Sequence, residues 1–148
     1  MTTIYLESSA LLAWLLGEPA AAAVLTKVNR ANTVVTSVLT LVETERALIR
    51  AEKRHILTAG QAEILKGNLA RSRAGWILME ISADVRSRAS GVFPSEPVRT
   101  LDAVHLATAL IFMRVFPDLY LLSLDRRVFD NARALGIRIA GRGRTETN

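Results

Sequence analysis

Acidic side chains follow two short apolar runs of the sequence. Glu7 comes directly after the β-favouring run Thr3–Leu6, and Asp125 comes three residues after the apolar run Leu119–Leu122. If both runs are parallel strands, their carboxyl ends meet at one edge of a sheet, where ligand sites usually lie. Carboxylates gathered there repel one another, and a divalent cation relieves that repulsion. The spacing therefore gives these acids a place to meet at one edge of the sheet.

A third acid, Asp102, lies in a segment that is apolar almost all round. In residues 101–111 the polar exceptions are Asp102, His105 and Thr108, which recur every third residue and form one narrow stripe on a helix. A carboxylate on a buried helix is costly unless it is paired or bound to metal, which favours a functional Asp102. The structural alternative is an aspartate in the first turn of a helix capped by Thr100. For His105 the structural interpretation, a core histidine with its hydrogen bonds satisfied, is favoured.

Glu43 and Glu45 compete for a fourth acidic position. Residues two apart on a helix point in roughly opposite directions, so only one of the two is expected to face the site. A helical wheel drawn through Val38, Val42 and Ile49 places Glu45 inside the apolar stripe and Glu43 on its flank. Periodicity alone therefore does not select Glu43 and favours Glu45.

The remaining candidates have structural alternatives as well. Asp125 directly precedes a predicted helix, where it would also serve as an N-cap. Glu7 near a helix start would be mildly stabilising even when it faces solvent. Arg126 and Arg127 could contact phosphate, or they could simply be solvated.

The elements that must position these acids alternate along the chain. Strands are predicted at Thr3–Leu6, Thr33–Thr36, Trp76–Ile81, Leu119–Leu122 and Ile137–Ala140. Helices are predicted after the capping pair Ser8/Ser9, then at Ala20–Val28, Ser37–Arg54, Ala59–Arg73, Ser82–Ala89, Leu101–Val115 and Arg126–Leu135. This alternation predicts an α/β fold with three layers, α/β/α, around a central, mostly parallel sheet.

Length and composition narrow the class of protein. The 148 residues fit one domain, predicted at 1–141 with a flexible tail at 142–148. The absence of cysteine excludes disulfides, thiolate metal sites and cysteine nucleophiles. Neither a signal peptide nor a membrane span is predicted, and we expect a cytoplasmic protein. The net charge of +5 is a modest indication of a polyanionic partner.

Four sequence blocks together resemble the PIN domain, and specifically the VapC-type toxins of bacterial toxin–antitoxin pairs. The resemblance covers nearly the whole chain, and no block is diagnostic alone. The blocks are Ile4–Leu12, Thr36–Glu43 with Arg46–Leu48, Arg99–Ala109 and Leu122–Val128. The family carries aspartate where this chain has Glu7, a departure that keeps the charge but adds a methylene. Mg²⁺ demands near-octahedral geometry, so the longer side chain puts the metal site in question.

The resemblance implies a function and a set of roles. Glu43, Asp102 and Asp125 would be site acids with Ser9 as a nearby polar contact, and Glu43 takes precedence over Glu45, which is kept in reserve. Glu7, Asp102 and Asp125 would hold Mg²⁺ or Mn²⁺, while Ser9 and Arg126 would contact substrate. The expected activity is metal-dependent endonucleolytic hydrolysis of RNA, with a VapB-type antitoxin and a second copy of the chain as partners.

Two other classes of function compete with the ribonuclease. The first is a degenerate PIN domain that binds RNA or antitoxin without cutting, a reading that rests on Glu7. The second is a receiver-like phosphotransfer domain, which needs a lysine after a late strand. The three lysines of this chain are Lys27, Lys53 and Lys66, all early, and this argues against a receiver.

Overall fold

A computed structural model gives the fold and describes residues 2–141. Its strands are β1 (Thr3–Leu6), β2 (Thr33–Ser37), β3 (Ile77–Met79), β4 (Leu119–Leu122) and β5 (Arg138–Ile139). Its helices are α1 (Ser8–Leu15), α2 (Ala21–Arg30), α3 (Val38–Lys53), α4 (Ala59–Arg73), α5 (Ala83–Ala89), α6 (Thr100–Met113) and α7 (Arg126–Ala134). The strands form one sheet in the order β3-β2-β1-β4-β5, and every neighbouring pair is parallel.

The sheet separates two apolar clusters, which confirms the predicted three-layer α/β/α architecture. Successive residues of the central strand β1 point to opposite faces, as the pleat requires. Tyr5 joins a cluster with buried residues of α6 and α7, such as Leu106 and Val128. Ile4 and Leu6 join a second cluster formed with helices α1 to α4. Because both faces of β1 are covered, all four of its residues are buried and apolar side chains predominate.

The direction in which the chain winds reverses between β1 and β4. From β1 the chain moves outward through β2 to β3, and it then returns to the other side of β1 for β4 and β5. Such a switch point opens a crevice beyond the carboxyl ends of the two central strands. The backbone N–H of Glu7 extends the pairing there by donating to the carbonyl of Leu122, 3.0 Å away. The residues that follow β1 and β4 therefore begin side by side.

Helix starts differ from the predictions at two points. The N-cap of α1 is Glu7, which accepts a hydrogen bond from the Ser9 N–H, so the prediction of a serine cap was wrong. A carboxylate oxygen at the N-cap accepts a hydrogen bond from the backbone N–H two residues later, as a serine hydroxyl would. Helix α6 begins at Thr100 with Arg99 as its N-cap and no side-chain cap, so Thr100 is not the cap either. Helix α4 begins with a capping box, in which Thr58 and Gln61 each accept a hydrogen bond from the backbone N–H of the other.

Strand lengths and boundaries also differ from the predictions. Strand β3 spans only three residues, Ile77–Met79, because it pairs with β2 alone at the edge of the sheet. The predicted tail, 142–148, lies outside the described residues. No helix within residues 2–141 is long and apolar enough to cross a membrane.

Candidate active site

Glu7 lies at the centre of a network of serine donors. Its Oε1 accepts from the Ser8 hydroxyl at 2.7 Å. Its Oε2 accepts from the Ser9 hydroxyl, from the Ser9 N–H at 3.1 Å and from the Ser123 hydroxyl at 2.8 Å. Only 4% of Glu7 is exposed. A buried carboxylate loses its hydrogen bonds to water, and these four hydrogen bonds within the protein replace them.

The same serines connect the ends of β1 and β4. Ser123 accepts from the backbone N–H of Asp125 at 3.0 Å, and Ser9 accepts from the backbone N–H of Leu124 at 2.9 Å. The Ser9 hydroxyl, predicted as a substrate contact, thus already donates to Glu7 and accepts from Leu124. Ser123, which no sequence argument singled out, holds the loop that carries Asp125.

Asp102 and Asp125 converge on a single cation, the guanidinium of Arg99. The Arg99 Nε lies 3.2 Å from Asp102 Oδ2, and one terminal nitrogen lies 3.5 Å from Asp125 Oδ2. Asp125 also caps α7, because its Oδ1 accepts from the Arg127 N–H at 2.9 Å. The two interpretations of Asp125 therefore hold together: one oxygen orders the helix and the other faces the cation.

Arg99 occupies an unusual position for a cation. As the N-cap of the 14-residue helix α6 it lies at the positive end of the helix dipole, which disfavours positive charge. Contact with two carboxylates offsets that repulsion. Sequence reasoning passed over Arg99, although its spacing of three residues from Asp102 on one helix was the available signal.

Glu43 belongs to a second chain of hydrogen bonds. The His105 ring lies between two partners, with Nε2 2.5 Å from Glu43 Oε1 and Nδ1 2.8 Å from the Tyr5 hydroxyl. His105 is 1% exposed, as expected for a core histidine whose hydrogen bonds are satisfied. Since His105 follows Asp102 by three residues on α6, this chain brings Glu43 to the same side of the helix as Asp102.

The buried face of α3 differs from the one drawn by the helical wheel. Its buried residues are Thr40, Leu41, Thr44, Leu48 and Ala51, whereas Val42 is 56% exposed. The wheel began from the apolar residues Val38, Val42 and Ile49 and was therefore rotated away from the true core face. Glu43 is partly buried against His105, and Glu45 is exposed. The preference of the wheel for Glu45 was wrong.

Tyr5 supports this edge from the core. Burial raises the pKa of the Tyr5 phenol well above its ordinary value, and the nearby charge of Glu7 raises this pKa further. The phenol is therefore a neutral hydrogen-bonding group, buried beside the His105 ring.

A shallow cavity opens beside the Asp102–Arg99 pair. Its volume is about 220 Å³, and Arg127 and Asn131 of α7 lie on its wall. Arg126 is exposed, and no salt bridge involves it within residues 2–141. The structure thus places Arg127, rather than Arg126, at the cavity beside the acids.

The fit of a divalent cation rests on the two aspartates. Among residues 2–141, no three histidine, aspartate or glutamate side chains form a group that could hold a metal ion. Mg²⁺ often binds proteins through only one or two carboxylates and keeps several waters. Asp102 and Asp125, which already share one cation, meet that requirement. Glu7 as a third ligand stays a prediction, since both of its oxygens accept hydrogen bonds.

The fold matches solved structures of bacterial toxins. VapC20 of Mycobacterium tuberculosis, described as a toxin that cleaves the sarcin–ricin loop, superposes with a TM-score of 0.62 at 17% identity, over 95% of this chain and 99% of that one. A toxin–antitoxin complex from Klebsiella pneumoniae gives a TM-score of 0.60 at 19% identity, over 85% and 89% of the two chains. At these identities the likeness establishes the fold.

Sequence comparison establishes the family. The PIN domain model matches residues 4–135, which include all four acids. Ribonuclease VapC46 of Mycobacterium tuberculosis is 34% identical over 140 residues, a stretch that covers 94% of this chain and 97% of the relative. With its sheet order, its acids at the switch point and these matches, the chain belongs to the PIN domain family, within the VapC-type group.

Proposed function

We propose that this protein is a metal-dependent endoribonuclease, using Mg²⁺ or Mn²⁺, and the toxin of a toxin–antitoxin pair. The observation that carries the proposal is the convergence of Asp102 and Asp125 on one cation at the switch point of the sheet. The similarity of this chain to a protein named as a ribonuclease supports the cleavage of RNA as the reaction class. The all-oxygen donor set and the absence of cysteine favour a hard cation over zinc.

The residues of the site divide the work of hydrolysis. Asp102 and Asp125 would hold the ion, and Glu43, anchored by His105, would border it on the α3 side. When bound, such an ion lowers the pKa of water and offsets charge on the phosphate and the leaving oxygen. Asp125 stays in place because its second oxygen caps α7.

Basic side chains around the acids suit a phosphate backbone. Arg99 and Arg127 line the cavity beside Asp102, where two further acidic residues also lie, and the chain carries a net charge of +5. Cations beside a metal site attract the polyanion and help to position it. Arg126 and Ser9 remain proposed substrate contacts, and Arg127 joins them because of its place on the cavity wall.

Cleavage of RNA by the purified protein tests this function. We expect hydrolysis in Mg²⁺ or Mn²⁺ that EDTA abolishes, and loss of hydrolysis in Asp102→Asn, which keeps the shape but removes the charge. Asp84→Asn is the matched control, because Asp84 is exposed on α5 and lines a different cavity. Equal cleavage by Asp102→Asn and the unaltered protein would exclude this site.

A second candidate function is a PIN domain that binds without cleaving. The observation in its favour is the serine network, which engages both oxygens of Glu7 and thereby occupies the acid that replaces the family's aspartate. Glu7→Asp separates the two functions. A large gain in metal-dependent cleavage would indicate a disarmed nuclease, whereas unchanged cleavage would indicate that glutamate serves at this position.

A VapB-type antitoxin and a second copy of the chain are the proposed partners. The guanidinium of Arg99 between two aspartates shows that this edge accommodates an arginine, the residue best suited to bridging carboxylates. Co-expression with the product of a neighbouring small reading frame should yield a stable complex, and light scattering should give the mass of a dimer. A cytoplasmic location follows from an RNA substrate and stays a prediction.

A further inference from the structure

The His105 ring joins the buried core to the acidic edge. It is 1% exposed, yet its Nε2 lies 2.5 Å from Oε1 of Glu43, a carboxylate whose side chain is 23% exposed. Its Nδ1 lies 2.8 Å from the Tyr5 hydroxyl, and the rings of Tyr5 and His105 meet edge to face with centroids 6.1 Å apart. Both nitrogens of the ring are therefore held by groups from two other elements, β1 and α3.

The hydrogen-bond chemistry determines where the proton lies. An ionised carboxylate only accepts, so the short contact to Glu43 requires a proton on His105 Nε2. In the neutral ring Nδ1 is then an acceptor, and the Tyr5 hydroxyl is its donor. The chain of donors runs from Tyr5 through His105 to Glu43 and ends on one oxygen of that carboxylate.

We propose that His105 is a positioning residue that fixes the direction of the Glu43 carboxylate, with the Tyr5 hydroxyl holding the imidazole in its Nε2–H form. This inference rests on the proposed function, since Glu43 matters only if a divalent ion binds beside it. Glutamate has several rotatable bonds and would otherwise sample many directions. The anchor engages Oε1, and among residues 2–141 no hydrogen bond to Oε2 is formed.

The rest of the polar stripe on α6 supports a specific role for His105. Thr108 lies one turn further along, is also buried, and donates its hydroxyl to the Val104 carbonyl of its own helix. Thr108 also has the Tyr5 hydroxyl beside it, but within residues 2–141 only His105 bonds both to Tyr5 of β1 and to Glu43 of α3. Outer partners of metal-binding residues act in this way, and their loss typically weakens metal affinity about 10- to 100-fold.

Two amide variants of His105 distinguish a role in positioning Glu43 from a role in packing the core. In His105→Gln the amide nitrogen can reach the place of Nε2 and donate to Glu43, whereas in His105→Asn the shorter amide cannot. We expect Mn²⁺ affinity, measured by electron paramagnetic resonance on the full chain, to fall at least about 10-fold in His105→Asn and to remain within about threefold in His105→Gln. Thr44→Val on α3 is the control, because the Thr44 hydroxyl is buried and has no hydrogen-bond partner among the described residues, so Mn²⁺ affinity should be unchanged. Equal losses in the Gln and Asn variants would overturn the proposal.

A double-mutant cycle tests whether His105 acts through Glu43. In a Glu43→Gln background, His105→Asn should weaken Mn²⁺ binding no further, because the carboxylate that it positions is absent. Any destabilisation caused by packing would persist in that background and would show in thermal unfolding. A further loss of Mn²⁺ affinity in the double variant would show that His105 acts by another route.

A measurement without metal keeps the proposal separate from the proposed function. Nitrogen-15 NMR of the metal-free protein should find His105 with its proton on Nε2, and Tyr5→Phe should change the Nδ1 resonance. A ring protonated on Nδ1 alone would overturn the relay. If the unaltered protein bound no Mn²⁺, the proposed function would fail, while the NMR result would still decide the direction of the hydrogen bonds.

Discussion

The two halves of the acidic edge neutralise their charge by different means. In the serine-bound half, Glu7 accepts four hydrogen bonds from groups within the protein and is 4% exposed. In the aspartate-pair half, Asp102 and Asp125 share Arg99, whose side chain is 63% exposed. The donors to Glu7 are the first residues of α1 and Ser123, which the fold holds in place, whereas an exposed guanidinium can move away. The comparison indicates that an incoming cation meets less competition at the aspartates.

The largest expected effect is a loss of Mn²⁺ affinity in the aspartate-pair half that exceeds the loss in the serine-bound half. Asp102→Asn should weaken Mn²⁺ binding about 10- to 100-fold, because a charged contact in a partly buried site contributes about 1.5–3 kcal/mol. Glu7→Gln should weaken Mn²⁺ binding less but lower the unfolding temperature, because the new amide donors face serine donors inside the protein. Metal titration and thermal unfolding of both variants make the measurement. If Glu7→Gln lost as much affinity as Asp102→Asn, Glu7 would be a ligand of equal weight.

Ser123 is the next test, because it joins the two halves. Its hydroxyl donates to Glu7 and accepts from the N–H of Asp125. Ser123→Ala leaves a buried carboxylate and an amide each without one partner, and should lower the free energy of unfolding by about 1–3 kcal/mol. Denaturant titration measures this change, with exposed Ser87→Ala expected to stay within about 0.5 kcal/mol. A neutral Ser123→Ala would mean that the halves are independent.

The smallest expected effect concerns Arg99, the cation that a divalent ion would displace from the two aspartates. Arg99→Ala removes the guanidinium that a divalent ion must displace, so Mn²⁺ should bind about two- to fivefold more tightly. The effect is modest because exposed ion pairs contribute only about 0.2–1 kcal/mol each. Arg71→Ala on α4, whose side chain contacts Asn68, is the control for loss of one positive charge. Weaker Mn²⁺ binding in Arg99→Ala would show that Arg99 orders the aspartates rather than competing for them.

The order of elements and the edge they share could be predicted from periodicity. Residues 101–111 read as a buried helix with one polar stripe, and the structure buries both Asp102 and His105. The apolar runs that became β1 and β4 placed Glu7 and Asp125 at neighbouring strand ends, because parallel strands align their carboxyl ends. These features depend on local pattern and on general rules of sheet topology, both of which are present in a single sequence.

What could not be predicted depends on contacts between distant elements. The face of α3 was misread because Val42 is apolar but exposed, while Thr40 and Thr44 are polar but fully buried. The roles of Ser123 and Arg99 appear only when β4 and α6 are placed against their neighbours. The spacing of Arg99 from Asp102 was visible in the sequence, but hydrogen bonds between distant elements leave no periodic trace there.

The pairing of β1 with β4 also governs when the site comes into being. Glu7 and Ser123 are 116 positions apart, and Asp125 lies still further along the chain. Closing so long a loop is entropically costly and is typical of contacts that form slowly. On the ribosome, a nascent chain exposes Glu7 early, but the acidic edge cannot form until β4 has emerged and paired with β1. A chain that stops before β4 therefore holds Glu7 but lacks the strand end that completes the acidic edge.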